Sequence, residues 1–156
     1  MKVKSDFRVR CVTELDVQWC KDNCVEFLLL DLDGTLRAEN AKEFKKKIVC
    51  WVQCLKEAGI QLCIVSNAKR KKVKKAAKML DIPYIADAEK PSSLGIKEAM
   101  TSWNYNPDTT IMIGDSKCDI VSGFCAGLRT VLVDEIVDKC ECGCGEDYSH
   151  HEWWEI

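Results

Sequence analysis

Phe27-Leu28-Leu29-Leu30-Asp31-Leu32-Asp33-Gly34-Thr35-Leu36 is a continuous apolar run that closes on two carboxylates spaced two apart and then on a Gly-Thr turn. An apolar run with no polar alternation reads as a strand covered on both faces. Side chains alternate along a strand, so Asp31 and Asp33 start on one side and can converge where the chain bends. Two acids there repel each other and lose hydration unless a cation or a reaction intermediate uses them. A divalent metal answers that need. Mg²⁺ takes oxygen ligands and keeps several waters, which suits one or two carboxylates plus the oxygens of a phosphorylated substrate. Alone, the stretch also reads as a solvated turn, with Asp at ordinary loop positions and Gly supplying positive φ. The rest of the chain decides between the two.

At 156 residues and 47% hydrophobic content, the chain suits one domain with a sizeable core and is short for two. A net charge of −2 gives no global argument for nucleic-acid or membrane binding, and nucleic-acid partners are not expected. The charge is uneven, with a basic run Lys69-Arg70-Lys71-Lys72-Val73-Lys74-Lys75 and an acidic end after Asp134. Such a run reads as a solvated helix face, or as a rim that steers anionic substrate if its first residues reach the cleft. Eleven cysteines suggest disulfides in a secreted chain, but Met1-Lys2-Val3-Lys4-Ser5-Asp6 has no apolar signal core and no run is long enough to cross a bilayer. A reduced, cytoplasmic protein is expected. Cys50, Cys54, Cys63 and Cys125 fall within apolar patterns and read as small core residues.

Short apolar runs alternate with helical patterns from Val25 onward, which predicts an α/β fold: a Rossmann-like three-layer α/β/α sandwich around a parallel five-stranded sheet. Candidate strands are residues 26–30, 61–65, 84–86, 109–113 and 130–133. Phe44, Ile48, Trp51, Val52 and Leu55 share one face of a helix that Gly59 ends. Val73, Ala76, Ala77 and Leu80 mark a second helix, Ile96, Ala99, Met100 and Trp103 a third, and Ile120, Val121, Phe124 and Cys125 a fourth. Residues 1–24 read as a leader whose short helix, carrying Leu15 and Trp19, is capped by Thr13; residues 25–134 form the core. Residues 135–156 form an acidic, Cys- and Trp-rich tail, where Cys140, Cys142 and Cys144, followed by His150-His151, are candidate ligands for a structural Zn²⁺.

The informative polar residues fall just past the C-terminal ends of these strands, the edge where open α/β sheets bind ligands. Ser66-Asn67 follows the second strand and offers donors to a phosphoryl oxygen, or a cap for the next helix. Lys90-Pro91 follows the third, with Lys90 able to neutralise a transferring phosphoryl group and Pro91 suited to opening a helix. Gly114-Asp115-Ser116-Lys117-Cys118-Asp119 follows the fourth and puts Asp115 and Asp119 one helical turn apart.

Together, Asp31-Leu32-Asp33-Gly34-Thr35, Ser66-Asn67, Lys90-Pro91 and Gly114-Asp115-Ser116-Lys117-Cys118-Asp119 resemble, in order and spacing, the haloacid dehalogenase (HAD) superfamily of phosphohydrolases. Within it the chain looks most like the subfamily IIIA phosphatases of the YqeG type, with Gly34 where that group commonly carries Asn. The resemblance implies Mg²⁺-dependent hydrolysis of a phosphomonoester through an aspartyl-phosphate. Asp31 would be the nucleophile and Asp33 the acid and base. Mg²⁺ would be held by Asp31, the carbonyl of Asp33 and Asp115, with Asp119 in support, and the phosphoryl oxygens by Ser66, Asn67 and Lys90. A haloacid dehalogenase proper needs no metal and no acid for a leaving alcohol, so Asp33 and Asp115 favour phosphate chemistry.

The gaps between motifs leave no room for a cap domain, which implies an open site suited to bulky substrates. Two other readings stay open. One is a non-catalytic phosphoprotein- or RNA-binding module on the same scaffold, and the other is a phosphatase of lipid headgroups of the phosphatidylglycerophosphate type. The oligomeric state is left open.

Overall fold

The computed structural model describes residues 2–136 and the backbone of residues 154 and 155. Six strands, β2 (Phe7–Val9), β3 (Phe27–Leu30), β4 (Gln61–Val65), β5 (Tyr84–Ile85), β6 (Thr110–Gly114) and β7 (Arg129–Val133), form one sheet in the order β2-β7-β6-β3-β4-β5. Every pairing in it is parallel. From β3 the chain steps outward through β4 to β5, then returns to the other side of β3 with β6 and continues to β7. The order therefore reverses between β3 and β6, and the carboxyl ends of such neighbours open a crevice. Leu30 pairs with both Ile64 and Ile113, so β3, β4 and β6 end level with one another.

Alternation along the strands builds the layers. Leu28, Leu30, Leu62, Ile64, Ile111 and Ile113 join the core formed with α2 (Lys46–Glu57) and α3 (Arg70–Leu80). The intervening Leu29, Cys63, Val65 and Met112 pack with Ile96 and Ala99 of α4 (Leu94–Trp103) on the opposite face. Leu132 meets Ile120 of α5 (Lys117–Cys125). Residues 31–45 hold a turn and one isolated bridge, Asp33 to Arg37, and no folded insertion. Among the described residues, no separately folded cap stands between the motifs.

The sheet has six strands where the sequence predicts five. The extra one is β2, at the edge of the sheet within the segment read as a leader. Three residues carry too little pattern to signal a strand, and their partners lie at the far end of the chain. The Asp6 carboxylate accepts from Thr130 N at 2.8 Å, and Arg8 Nε reaches Asp134 Oδ1 at 2.8 Å. The leader's helix is α1 (Val17–Asp22), capped by Asp16 rather than Thr13 because the Asp16 carboxylate accepts from Trp19 N at 2.8 Å. The buried Trp51 indole donates to Leu15 O at 3.0 Å and ties this segment to α2.

Cys63 is buried as expected, but Cys50, Cys54 and Cys125 are exposed. The inward face of α2 is set by Ile48, Trp51, Val52 and Leu55, which turns Cys50 and Cys54 outward. Cys11 and Cys20 are buried instead.

At the chain ends, β1 (Lys2–Val3) pairs antiparallel with β8 (Trp154–Glu155). Cys140, Cys142 and Cys144, and with them the Zn²⁺ expectation, lie outside the described residues. No helix among the described residues is long and apolar enough to cross a membrane.

Candidate active site

The crevice at the β3/β6 reversal is where three of the four predicted acids, Asp31, Asp115 and Asp119, meet. Asp31 follows β3 with its backbone N–H donated to Ile113 O at 2.9 Å, so β6 fixes its position. One carboxylate oxygen each from Asp31, Asp115 and Asp119 lie within 4.8 Å of one another. Thr35 Oγ1 stands 3.4 Å from both Asp31 Oδ2 and Asp115 Oδ1 and bridges the two motifs. Gly34 makes this approach feasible. Its φ is +86°, and a Cβ there would overlap the Asp115 carboxylate. Gly114 does the same for Asp119, whose carboxylate fills the space a Cβ would take.

Lys90 supplies the positive charge. Its Nζ donates to Asp31 Oδ1 at 2.9 Å and to Asp119 Oδ1 at 2.5 Å. Burial alone would lower the lysine's pKa, but the two carboxylates outweigh it and raise it, so the ammonium persists. Asp119 Oδ2 accepts from Ser116 N at 3.2 Å and Ser116 Oγ at 3.0 Å, a capping box at the start of α5. Both Asp119 oxygens thus have protein donors, and the residue orients Lys90 while closing the acidic wall. Burial pushes Asp31 up to about 6, aided by Asp115 and opposed by Lys90. Burial and the Asp31 charge push Asp119 up as well.

Asp33 lies outside this trio. Lys72 Nζ binds its Oδ2 at 2.6 Å, while its Oδ1 and Arg37 Nε face each other at 3.8 Å with no hydrogen bond to either. The basic run therefore reaches the site through one residue, Lys72, while Lys69, Arg70, Lys71, Lys74 and Lys75 remain exposed.

Neither Ser66 nor Asn67 caps α3, whose N-cap, Lys69, has no side-chain bond. Buried Ser66 accepts from Ala68 N at 3.1 Å through Oγ, leaving its hydroxyl proton available. Asn67 clamps the Lys90 backbone: its Oδ1 accepts from Lys90 N at 2.7 Å and its Nδ2 donates to Lys90 O at 3.0 Å. Pro91 follows a cis peptide bond and does not open the next helix, which begins at Leu94. Thr35, Lys72 and Arg37 had no assigned role from sequence. Thr35 is signalled only by its place in the first motif, and the other two only by their charge.

Residues 10–133 match the model of the haloacid dehalogenase-like hydrolase family. The chain is 29% identical over 126 residues to the "Probable phosphatase YqeG" of Bacillus subtilis (strain 168), a match covering 80% of this chain and 73% of that protein. It is 35% identical over 146 residues to "Pyrophosphatase PpaX" of Bacillus mycoides (strain KBAB4), covering 74% and 68%. It spans about half the length of further PpaX relatives. The crystal structure of Moraxella catarrhalis 3-deoxy-D-manno-octulosonate 8-phosphate phosphatase, in complex with magnesium, phosphate and KDO, superposes with a TM-score of 0.60 at 20% identity. That superposition covers 82% of this chain and 83% of the other, a likeness of fold.

Proposed function

This chain belongs to the haloacid dehalogenase-like hydrolase family, and on that premise we propose that it is a Mg²⁺-dependent phosphomonoester phosphatase working through an aspartyl-phosphate. The observation that carries this reading is the convergence of Asp31, Asp115 and Asp119 at the carboxyl edge of the sheet, with the Lys90 ammonium against two of them. Asp119 is buried, Asp31 half-buried and Asp115 exposed at the mouth, and one lysine against two of the three leaves surplus negative charge in the crevice. A pure phosphoprotein- or RNA-binding module gains nothing from that cost.

The donor set fits Mg²⁺, being all oxygen and close enough to share one ion, with Asp31 pushed up by burial and by the neighbouring Asp115 despite Lys90. Asp31, Asp115 and the Asp33 carbonyl would hold the ion, which when bound would polarise phosphoryl oxygens. In the proposed reaction an Asp31 oxygen bonds to phosphorus as the ester P–O bond breaks, and Asp33 gives its proton to the leaving alkoxide. Asp33 then takes a proton from water, whose oxygen displaces Asp31 and releases phosphate. Lys90 and the Ser66 hydroxyl would steady the phosphoryl oxygens, and Asn67, by gripping the Lys90 backbone, would position that lysine. The uncapped 31–45 segment supports an open cleft and bulky substrates. The free cysteines among the described residues suit a cytoplasmic setting.

Phosphate release from p-nitrophenyl phosphate, present with Mg²⁺ and absent with chelator, tests the reading. Inactivity on any phosphomonoester at saturating Mg²⁺ refutes it. A second expected outcome needs no turnover. Mg²⁺ requires ionised Asp31, so its stabilisation should be larger near about pH 7.5 than near about pH 5, below the raised pKa. Thermal shift with and without Mg²⁺ measures it, and equal shifts at both pH values count against Asp31 as a ligand.

A further inference from the structure

Two cations that take no part in the proposed reaction face the Asp33 carboxyl. Lys72 Nζ donates to its Oδ2 at 2.6 Å, and Arg37 Nε faces its Oδ1 at 3.8 Å. Oδ1 and Arg37 Nε are both sealed from solvent, whereas the Asp33 side chain as a whole is 21% exposed. The oxygen that a substrate can reach is therefore Oδ2, the one that Lys72 holds. Arg37 forms a fixed wall behind Oδ1. Gly34 N donates to Arg37 O at 2.8 Å, and the Phe44 ring lies 5.0 Å from the guanidinium carbon and braces it. Lys72 reaches in from α3, 39 residues along the chain. Its neighbour Lys69 pairs with Asp87 instead, so among the described residues Lys72 is the member of the basic run that meets a motif acid.

We propose that Lys72 is a positioning residue for the reaction, one that aims Oδ2 of Asp33 at the leaving oxygen of the substrate. The inference rests on the phosphatase reading and deepens it. A carboxyl oxygen has two lone-pair sites, so Oδ2 can accept from the ammonium at one and carry the transferable proton at the other. The ester P–O bond breaks, its electron pair stays on the leaving oxygen, and the Asp33 proton neutralises that oxygen. Lys72 gives and takes no proton. Its short, charge-assisted bond holds the carboxyl in one orientation, and a proton donor misplaced by an ångström loses most of its effect.

A series of aryl phosphates from 2,4-dinitrophenyl to phenyl phosphate tests the role in the full chain with Mg²⁺. Dinitrophenolate departs without a proton, while phenolate is a poor leaving group and gains most from Asp33. The readout is kcat/KM, which reports cleavage of the ester bond and not the later hydrolysis of the aspartyl-phosphate. In Lys72→Met it should fall about 10²-fold for phenyl phosphate and less than about threefold for the dinitrophenyl ester, a steeper dependence on leaving-group basicity. Lys72→Arg keeps a cationic donor and should recover most of that loss. Adding Lys72→Met to Asp33→Asn should cost nothing further on phenyl phosphate, because both residues act through one proton. The Lys72 side chain is 37% exposed, so Lys72→Met should melt with the wild type. Equal losses across the series, an undiminished rate on phenyl phosphate, or additive losses in the double variant overturn the role. Failure of the wild type to hydrolyse any ester of the series overturns the phosphatase reading instead.

Discussion

Asp31→Asn should leave a folded protein whose phosphatase activity is lost, with kcat down by at least about 10⁴-fold, because an amide neither attacks phosphorus nor forms the covalent intermediate. The substitution is nearly isosteric, and its carbonyl oxygen can still accept from Lys90 or Thr35. Its effect on stability should run the other way. The folded pKa of Asp31 is raised to about 6, above its ordinary 3.8, so native protein holds the proton more tightly than unfolded chain. Stability from this group is therefore present at acid pH and lost as pH rises through about 6. Asparagine carries no such charge. The metal-free variant should melt above the wild type at neutral pH, and the difference should vanish near about pH 4. Mg²⁺ should stabilise the wild type and lose most of its effect on the variant. Activity within tenfold of wild type would reassign the nucleophile, and a variant that melts below wild type at neutral pH would refute the buried-charge account.

Lys90→Met should be the most destabilising single change at the site. It removes the ammonium that lies 2.9 Å from Asp31 and 2.5 Å from Asp119, both carboxylates being largely buried. Stripping one partner from a buried ion pair costs about 3–5 kcal/mol, because the remaining charge is left uncompensated. Without the cation, folding must protonate the carboxylates, so the loss should be largest at neutral pH and shrink as pH falls. Urea unfolding of variant and wild type at neutral and mildly acid pH measures both size and sign. Where the variant folds, or is held folded by Mg²⁺, kcat should fall by about 10²- to 10³-fold from loss of a charged donor to the phosphoryl group. A variant as stable as wild type at neutral pH would mean that Lys90 is not the balancing charge.

The motif residues were readable because strand ends are local features. Four consecutive βα units whose apolar runs give way to Asp31, Ser66-Asn67, Lys90 and Asp115 announce a sheet edge lined with acids, a hydroxyl and a lysine. The helical faces of α2 and α3 followed equally well from spacing. Cys50 and Cys54 show the limit of apolar pattern alone: one residue off the buried stripe of α2 is enough to expose them. The edge strand β2 escaped because its evidence lies in β7, across nearly the whole chain.

The sequence alone determined the layered α/β class and the order of the four motifs, and it named Asp31, Asp115 and Asp119 among its candidate acids, since each depends on periodicity and on residues adjacent in the chain. Only the tertiary structure decided that Asn67 grips the Lys90 backbone, that Lys72 and Arg37 rather than the acidic trio surround the Asp33 carboxylate, and that Thr35 bridges Asp31 to Asp115. Those contacts join residues brought together by crossovers, and the distance between two crossovers is set by how helices pack on the sheet, which no local pattern encodes.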